Sequence, residues 1–451
     1  MERPPTPTGP NKILVLIASL RRQFATHAFT ALFLGLFLVV PGFLLSTSFL
    51  SPSLTRRGTA ELFAMTRRAR LVQSFQADPA ASVPQIWEKR LSASTARDRW
   101  RRQDRVLWWL IWLDDGEPLL VLPTASDPSS LDVFFADELH RTSFDQRPPL
   151  EPRSPSALEE GCLRRLTGGT AVQWKPSGLA SISGPLFSAL ASVSHGCLSV
   201  SLQGDLLTAD GPVASRPFAA LNDGGGPGRS SPARGDEPSA FLELNSDALQ
   251  PLLGSFLNNP LIAEQLTSRY GLPQELRDVL LAAPVALRVD PLDAGRFRAS
   301  VQVRLMLPAE QIAKLKPSLA AVSTALLQRG FQRQQRPLQK PDGPSPESLT
   351  TVWLDPQGDP SGGWWLGPER KGRVELLLAL GDAPSLGQSP MRRHGHQRLR
   401  LKAQPDALAE LGWLGPGWPS VIGQATRLDL EMTALPKEQQ PGRLRLQLEL
   451  R

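Results

Sequence analysis

The stretch that most narrows what this chain can become runs from residue 28 to residue 50, AFTALFLGLFLVVPGFLLSTSFL, 23 residues without a charge. About 20 apolar residues cross the hydrocarbon core of a bilayer as a helix. Pro41 and Gly42 would break a helix in water, but a membrane helix tolerates them where neighbouring groups satisfy the freed carbonyls. A cleaved signal peptide would carry a shorter apolar region and a small-residue cleavage site, for which Ser46-Thr47-Ser48 is a poor candidate. The expectation is therefore a retained, single-pass transmembrane helix over 28–50, preceded by a basic N-terminal tail over 1–27. Its orientation stays open. Lys12, Arg21 and Arg22 flank one side, while Arg56, Arg57, Arg67, Arg68 and Arg70 flank the other and tip the count towards a cytoplasmic body. A short basic N-terminal tail retained in the cytoplasm argues the reverse.

The formal net charge of +7 suggests nucleic acid until it is divided along the chain. Residues 1–105 hold 16 basic and 6 acidic side chains, whereas residues 106–451 hold 34 and 37. The positive charge belongs to the anchor region, so a membrane address is the better reading and nucleic acid is not an expected partner. Over 51–105, twelve basic residues interleave with Leu62, Phe63, Met65, Leu71, Val72 and Phe75 at roughly helical spacing. This predicts a basic helical juxtamembrane region, with Arg56, Arg57, Arg67, Arg68 and Arg70 meeting anionic lipid headgroups at about 1 kcal/mol per basic residue. A solvated helical stalk fits the same pattern.

Beyond residue 105 the patterning is α+β. VLWWLIWLDDGEPLLVL, residues 106–122, reads as a hairpin turning at Asp114-Asp115-Gly116. Three segments then superpose without gaps: Val172 to Leu179, Leu242 to Leu249 and Leu401 to Leu408. Each alternates like a strand and then opens a helix, with Ser177, Asp247 and Asp406 as candidate N-caps. Leu-rich helical stretches follow (Ile182 to Val193, Pro251 to Leu281, Leu411 to Ile422), and after each comes a pair of alternating strands. In the last pair Leu444, Leu446, Leu448 and Leu450 share one face and Arg443, Arg445, Gln447 and Glu449 the other, the signature of a half-buried antiparallel strand. The reading is of divergent β-α-β-β repeat units with antiparallel sheets: a first unit with its hairpin over 106–221, a second over 239–330 and a third over 398–451. A flexible linker over 222–238 and a linker-plus-insertion over 331–397 separate them. Val374 to Leu380 is a further strand within the insertion, and Gln332 to Ser348 and Asp382 to His396 are linker-like.

No pattern of catalytic chemistry emerges. The chain has no H-E-x-x-H, no G-x-S-x-G and no Walker A loop. His27, His140 and His195 stand apart, and His394-Gly395-His396 has no cysteine or carboxylate cluster near it in sequence. No catalytic, cofactor-binding or metal-ligating residue is assigned. Cys162 and Cys197, the only two cysteines, are candidates for one disulfide, with buried free thiols as the alternative.

The single N-terminal span, the Arg and Pro richness and the openings FLELNSDAL (241–249) and RLKAQPDAL (400–408) resemble uncharacterised membrane-anchored conserved proteins of cyanobacteria. The resemblance implies repeated α+β units and an envelope or thylakoid setting, and brings no activity with it. The expected function is non-enzymatic: a membrane-anchored scaffold or assembly factor that binds a protein partner through its α+β domain. A lipid or hydrophobic-ligand handling module beside the membrane is the alternative.

Overall fold

The structure is a computed structural model. It describes residues 56–451 except 104–105, 114–116, 125–129, 138–140, 143–153, 177, 179–192, 216–239, 249–253, 255–256, 271, 294–295, 341–342, 387–396, 415–419 and 434–440. The expected span at 28–50, the linker at 222–238, most of the helix at 182–193, and His27, His140, His394 and His396 lie outside the described residues. Among the described residues, no helix is long and apolar enough to cross a membrane.

The chain folds as α+β with a large antiparallel sheet, and divides into two compact units. Of the described residues, the first comprises those within 56–69 and 76–142. It holds helices α1 (Arg56–Arg68), α2 (Gln85–Arg90) and α3 (Ala93–Arg101) and strands β2 (Leu107–Trp112), β3 (Leu119–Pro123) and β4 (Leu131–Phe134). All six residues of β2, LWWLIW, are buried, which explains the continuous apolar run: both faces of this strand are covered. β2 pairs with β3 in the expected hairpin, Leu110 opposite Leu120. Trp87, Trp100 and Trp108 meet edge to face, with the Trp87 centroid 5.0 Å from Trp100 and 5.8 Å from Trp108.

The second unit comprises residues 70–75 and 151–451. Its strands are β1 (Leu71–Gln76), β5 (Ala171–Trp174), β6 (Val193–Gln203), β7 (Leu206–Ser215), β8 (Leu242–Ser246), β9 (Val285–Pro291), β10 (Ala299–Pro308), β11 (Gln332–Lys340), β12 (Gly343–Leu354), β13 (Pro360–Leu366), β14 (Arg373–Leu380), β15 (Gln397–Ala403), β16 (Ala425–Thr433) and β17 (Gly442–Leu450). They pair antiparallel in the spatial order β1-β5-β6-β7-β17-β16-β15-β8-β9-β10-β14-β13-β12-β11. Three meanders, β5-β6-β7, β8-β9-β10 and β15-β16-β17, are embedded in that order, and the last in sequence stands between the other two in space. Neighbouring meanders meet like to like: the third strands β7 and β17 pair, then the first strands β15 and β8.

Helices α4 (Ala157–Leu166), α5 (Pro260–Tyr270), α6 (Gln274–Ala282), α7 (Ala309–Leu327), α8 (Pro405–Glu410) and α9 (Ser420–Gly423) complete this unit. Ser156 closes a capping box with Glu159 at the start of α4. Arg277 is buried and ties α6 to α5 by donating to the Ala263 and Leu272 carbonyls and to Thr267 Oγ1. On one side of the sheet Leu244, Leu399, Leu401, Leu428, Leu430, Leu444 and Leu448 are at most 5% exposed, so the alternation read from the sequence does mark the core.

Several expectations are corrected. The helical spacing read over 51–105 breaks at β1, where Leu71, Val72 and Phe75 belong to a strand paired with β5. An apolar cluster this short fits either period, and pairing with a distant strand decides it. The linker-like stretch from Gln332 to Ser348 forms β11 and the start of β12. Its polarity and proline are those of an edge strand, where charge and Pro discourage pairing with other chains. The N-caps also differ. Asp406 lies inside α8, after Pro405. Asp247 instead accepts a hydrogen bond from Arg398 Nη1 at 2.6 Å, while Ser246 Oγ accepts from the Ala248 amide. Ser177 lies outside the described residues. Leu411 to Ile422 is not one helix, since α8 ends at Glu410 and α9 begins at Ser420.

Candidate functional site

Strand alternation and register place a second, polar surface opposite the leucine side of the sheet. Ser199 on β6 stands opposite Asp210 on β7, and the row continues through Arg445 on β17, Glu431 on β16, Arg400 on β15, Asn245 on β8, Ala286 on β9 and Arg304 on β10. The next row on the same face reads Ser201, Thr208, Gln447, Asp429, Lys402, Glu243, Arg288 and Gln302. From β7 to β10 this floor is seven strands across, roughly 30 Å at the usual interstrand spacing.

Both ends of the floor are covered. At one end α4 sits over the first meander: Cys162 on α4 packs against Cys197 on β6, which faces the same way as Ser199, and Arg165 on α4 acts electrostatically on Asp210. At the other end residues 382–386 cross the sheet. Gln302 donates to Ser385 Oγ at 2.7 Å, Pro384 packs on Gly363, and Leu386 joins Leu338, Trp365 and Leu377. What lies between is a charged trough.

Most of its charges are already paired. Arg288 reaches Glu243 at 2.8 Å and Asp290 at 2.7 Å, with all three side chains about a quarter exposed. Arg304 donates to Glu375 at 2.6 Å, and Arg443 donates through Nε to Asp210 at 2.7 Å. The hydrogen bond from Arg443 holds the Asp210 carboxyl below its ordinary range, and the one to Asp290 raises the already high pKa of Arg288. Arg400 and Lys402, near the middle of the floor, make no ion pair with another described residue. Beside them is a depression lined by Glu243, Asn245, Ala286, Arg288, Gln302 and Arg304. Its volume is about 30 Å³, room for water rather than for an organic ligand of a size that needs 300 Å³ or more. Among the described residues no group of three or more His, Cys, Asp or Glu is placed to hold a metal ion.

The basic residues singled out for the membrane surface are spread over both units. Arg57 is largely exposed and pairs with Glu61 at 3.5 Å. Arg67 and Arg68 on the same helix are half-buried, and Arg70, in the second unit, accepts at its carbonyl from the Lys175 amide at 2.7 Å. Arg56 opens α1, and its side chain lies outside what the structure describes. The apolar side of α1, Leu62 and Met65, is buried, so the exposed side of this helix is the one that carries Arg57. Other basic residues of 51–105 serve the fold: Arg90 donates to Glu117 and the Pro118 carbonyl, and Arg99 to the Pro123 carbonyl and Asp132. The trough itself was visible in sequence only as the polar alternation of single strands, such as Arg443 to Glu449. Which strands lie side by side comes from register.

No protein-family model matches the chain, and the searches of curated proteins and of solved structures gave no match.

Proposed function

We propose that this protein is a membrane-tethered, non-enzymatic scaffold or assembly factor that binds a protein partner along the charged trough. The observation that carries the reading is a charged floor roughly 30 Å wide in which Arg400 and Lys402, near its centre, make no ion pair with another described residue, while the flanking Arg288 and Arg443 pair with Glu243 and Asp210. Surfaces of that breadth suit a protein, and two cations that pair with no other described residue favour a partner with acidic side chains at that point. The lipid-handling alternative draws on the leucine-lined side of the sheet. Seven of its leucines, Leu244, Leu399, Leu401, Leu428, Leu430, Leu444 and Leu448, are at most 5% exposed and are better read as core than as the wall of a ligand cavity.

The reading extends to origin and anchorage. Three meanders meeting like to like support a body built from divergent repeat units, and the uncharged stretch 28–50 supports a single-pass anchor. Cross-linking in native membranes followed by purification of the full chain tests the function. A reproducible partner lost in Arg400→Glu/Lys402→Glu, while the variant still unfolds in one cooperative transition at a midpoint lowered by the like charges opposite Glu431 and Glu243, supports it. Recovery of no reproducible partner, or one indifferent to the charge reversal, removes it.

A further inference from the structure

We propose that Cys162 and Cys197 form a native disulfide and that the folded body, residues 56–451, resides in an oxidising, non-cytosolic compartment. These are the only cysteines in 451 residues, and they lie 35 residues apart on different elements, α4 and β6. The fold nonetheless brings their Cα atoms to 5.5 Å, inside the range a disulfide requires, and buries both side chains to 3% or less exposure beside Leu158 and Ala214. Such bonds persist in oxidising compartments and are rare in the cytosol. In forming it, the two thiols give up two protons and two electrons to a disulfide-bearing thiol oxidase. The donor's S–S bond is reduced to two thiols as the Cys162–Cys197 bond closes.

Where residues 28–50 span the membrane, a point that rests on the reading above, the body outside leaves the basic tail 1–27 in the cytosol, as Lys12, Arg21 and Arg22 favour. The opposing count from Arg56 to Arg70 loses weight because α1 and β1 are parts of folded units, and whole domains translocate largely regardless of charge.

The test uses the full chain in isolated membranes, denatured with a maleimide-polyethylene glycol, together with a C-terminal reporter active only outside the cytosol. The expected result is no adduct before reduction, two adducts after it, and an active reporter. Two adducts without reductant, or a reporter inactive while a cytosolic one in its place works, overturns the proposal. A carbonate wash separates the two readings: release of chains whose thiols are still blocked and whose reporter is still active removes the span and leaves the disulfide and its compartment standing. The test needs only the wild-type chain, and Cys162→Ser should show one adduct without reductant.

Discussion

Glu243 and Lys402 stand directly opposite each other on β8 and β15, and they occupy the same position in the two matching segments LELNSDAL and LKAQPDAL. The two first strands therefore meet about a two-fold relation that passes between these residues, with opposite charge on its two sides. Glu243→Lys places like charges opposite one another and should destabilise the fold by about 0.5–1 kcal/mol, with more lost because Arg288 forfeits a partner. Adding Lys402→Glu should recover the cross-strand part. Urea midpoints of the wild type, two single variants and the double variant measure this coupling, and simple additivity would remove the register-based account.

Because β15, β16 and β17 lie between β7 and β8 in the sheet, the C-terminal meander joins segments that precede it in sequence. A chain ending at residue 396 should expose the facing edges of both β7 and β8 and accumulate as aggregate. Soluble, cooperatively unfolding truncated protein would argue against this order.

A Cβ at Gly211 would lie 2.0 Å from the Cys197 carbonyl oxygen, whereas one at Gly423 in α9 meets nothing within 4 Å. Gly211→Ala should destabilise by about 1–3 kcal/mol or more, and Gly423→Ala should be neutral or stabilising by up to about 1 kcal/mol. Denaturant melts of the two variants, compared at equal m-value, check the contrast.

Trp87 is fully buried in the first unit against Trp100 and Trp108. Trp87→Ala should cost about 3–5 kcal/mol through the cavity and the lost edge-to-face contacts. It should also remove much of the near-ultraviolet circular dichroism that coupled indoles give.

Acid should weaken the second unit in two stages. Desolvation lowers the pKa of His195 below its ordinary 6.5, so the neutral form is the native one. Its contribution is intact above 6.5 and is lost as pH falls through the lowered native value. The Asp210 carboxyl, held below its ordinary 3.8 by the hydrogen bond from Arg443, contributes above 3.8 and loses that contribution as pH falls further. Unfolding midpoints between pH 7 and pH 3 should show the first slope flattened in His195→Gln and the second in Asp210→Asn, with Arg443→Gln moving the second upward.

Local pattern alone was enough to locate many strands and the class of fold. The alternation from Arg443 to Leu450, the hairpin of 107–123 and the strands near 285, 299 and 374 could be read because a half-buried strand repeats every two residues and a turn has its own residue chemistry. The Gln332 to Lys340 strand was hidden, since an edge strand looks polar like a loop, and Leu71 to Gln76 was hidden because six residues fit either period. The trough was decided by tertiary structure alone. Arg443 and Asp210 are 233 residues apart, and no local pattern encodes which of fourteen strands become neighbours. That choice is made by burying the leucine faces of many strands together, and with it come the closeness of Cys162 to Cys197 and the position of Arg400 and Lys402 at the centre of the floor.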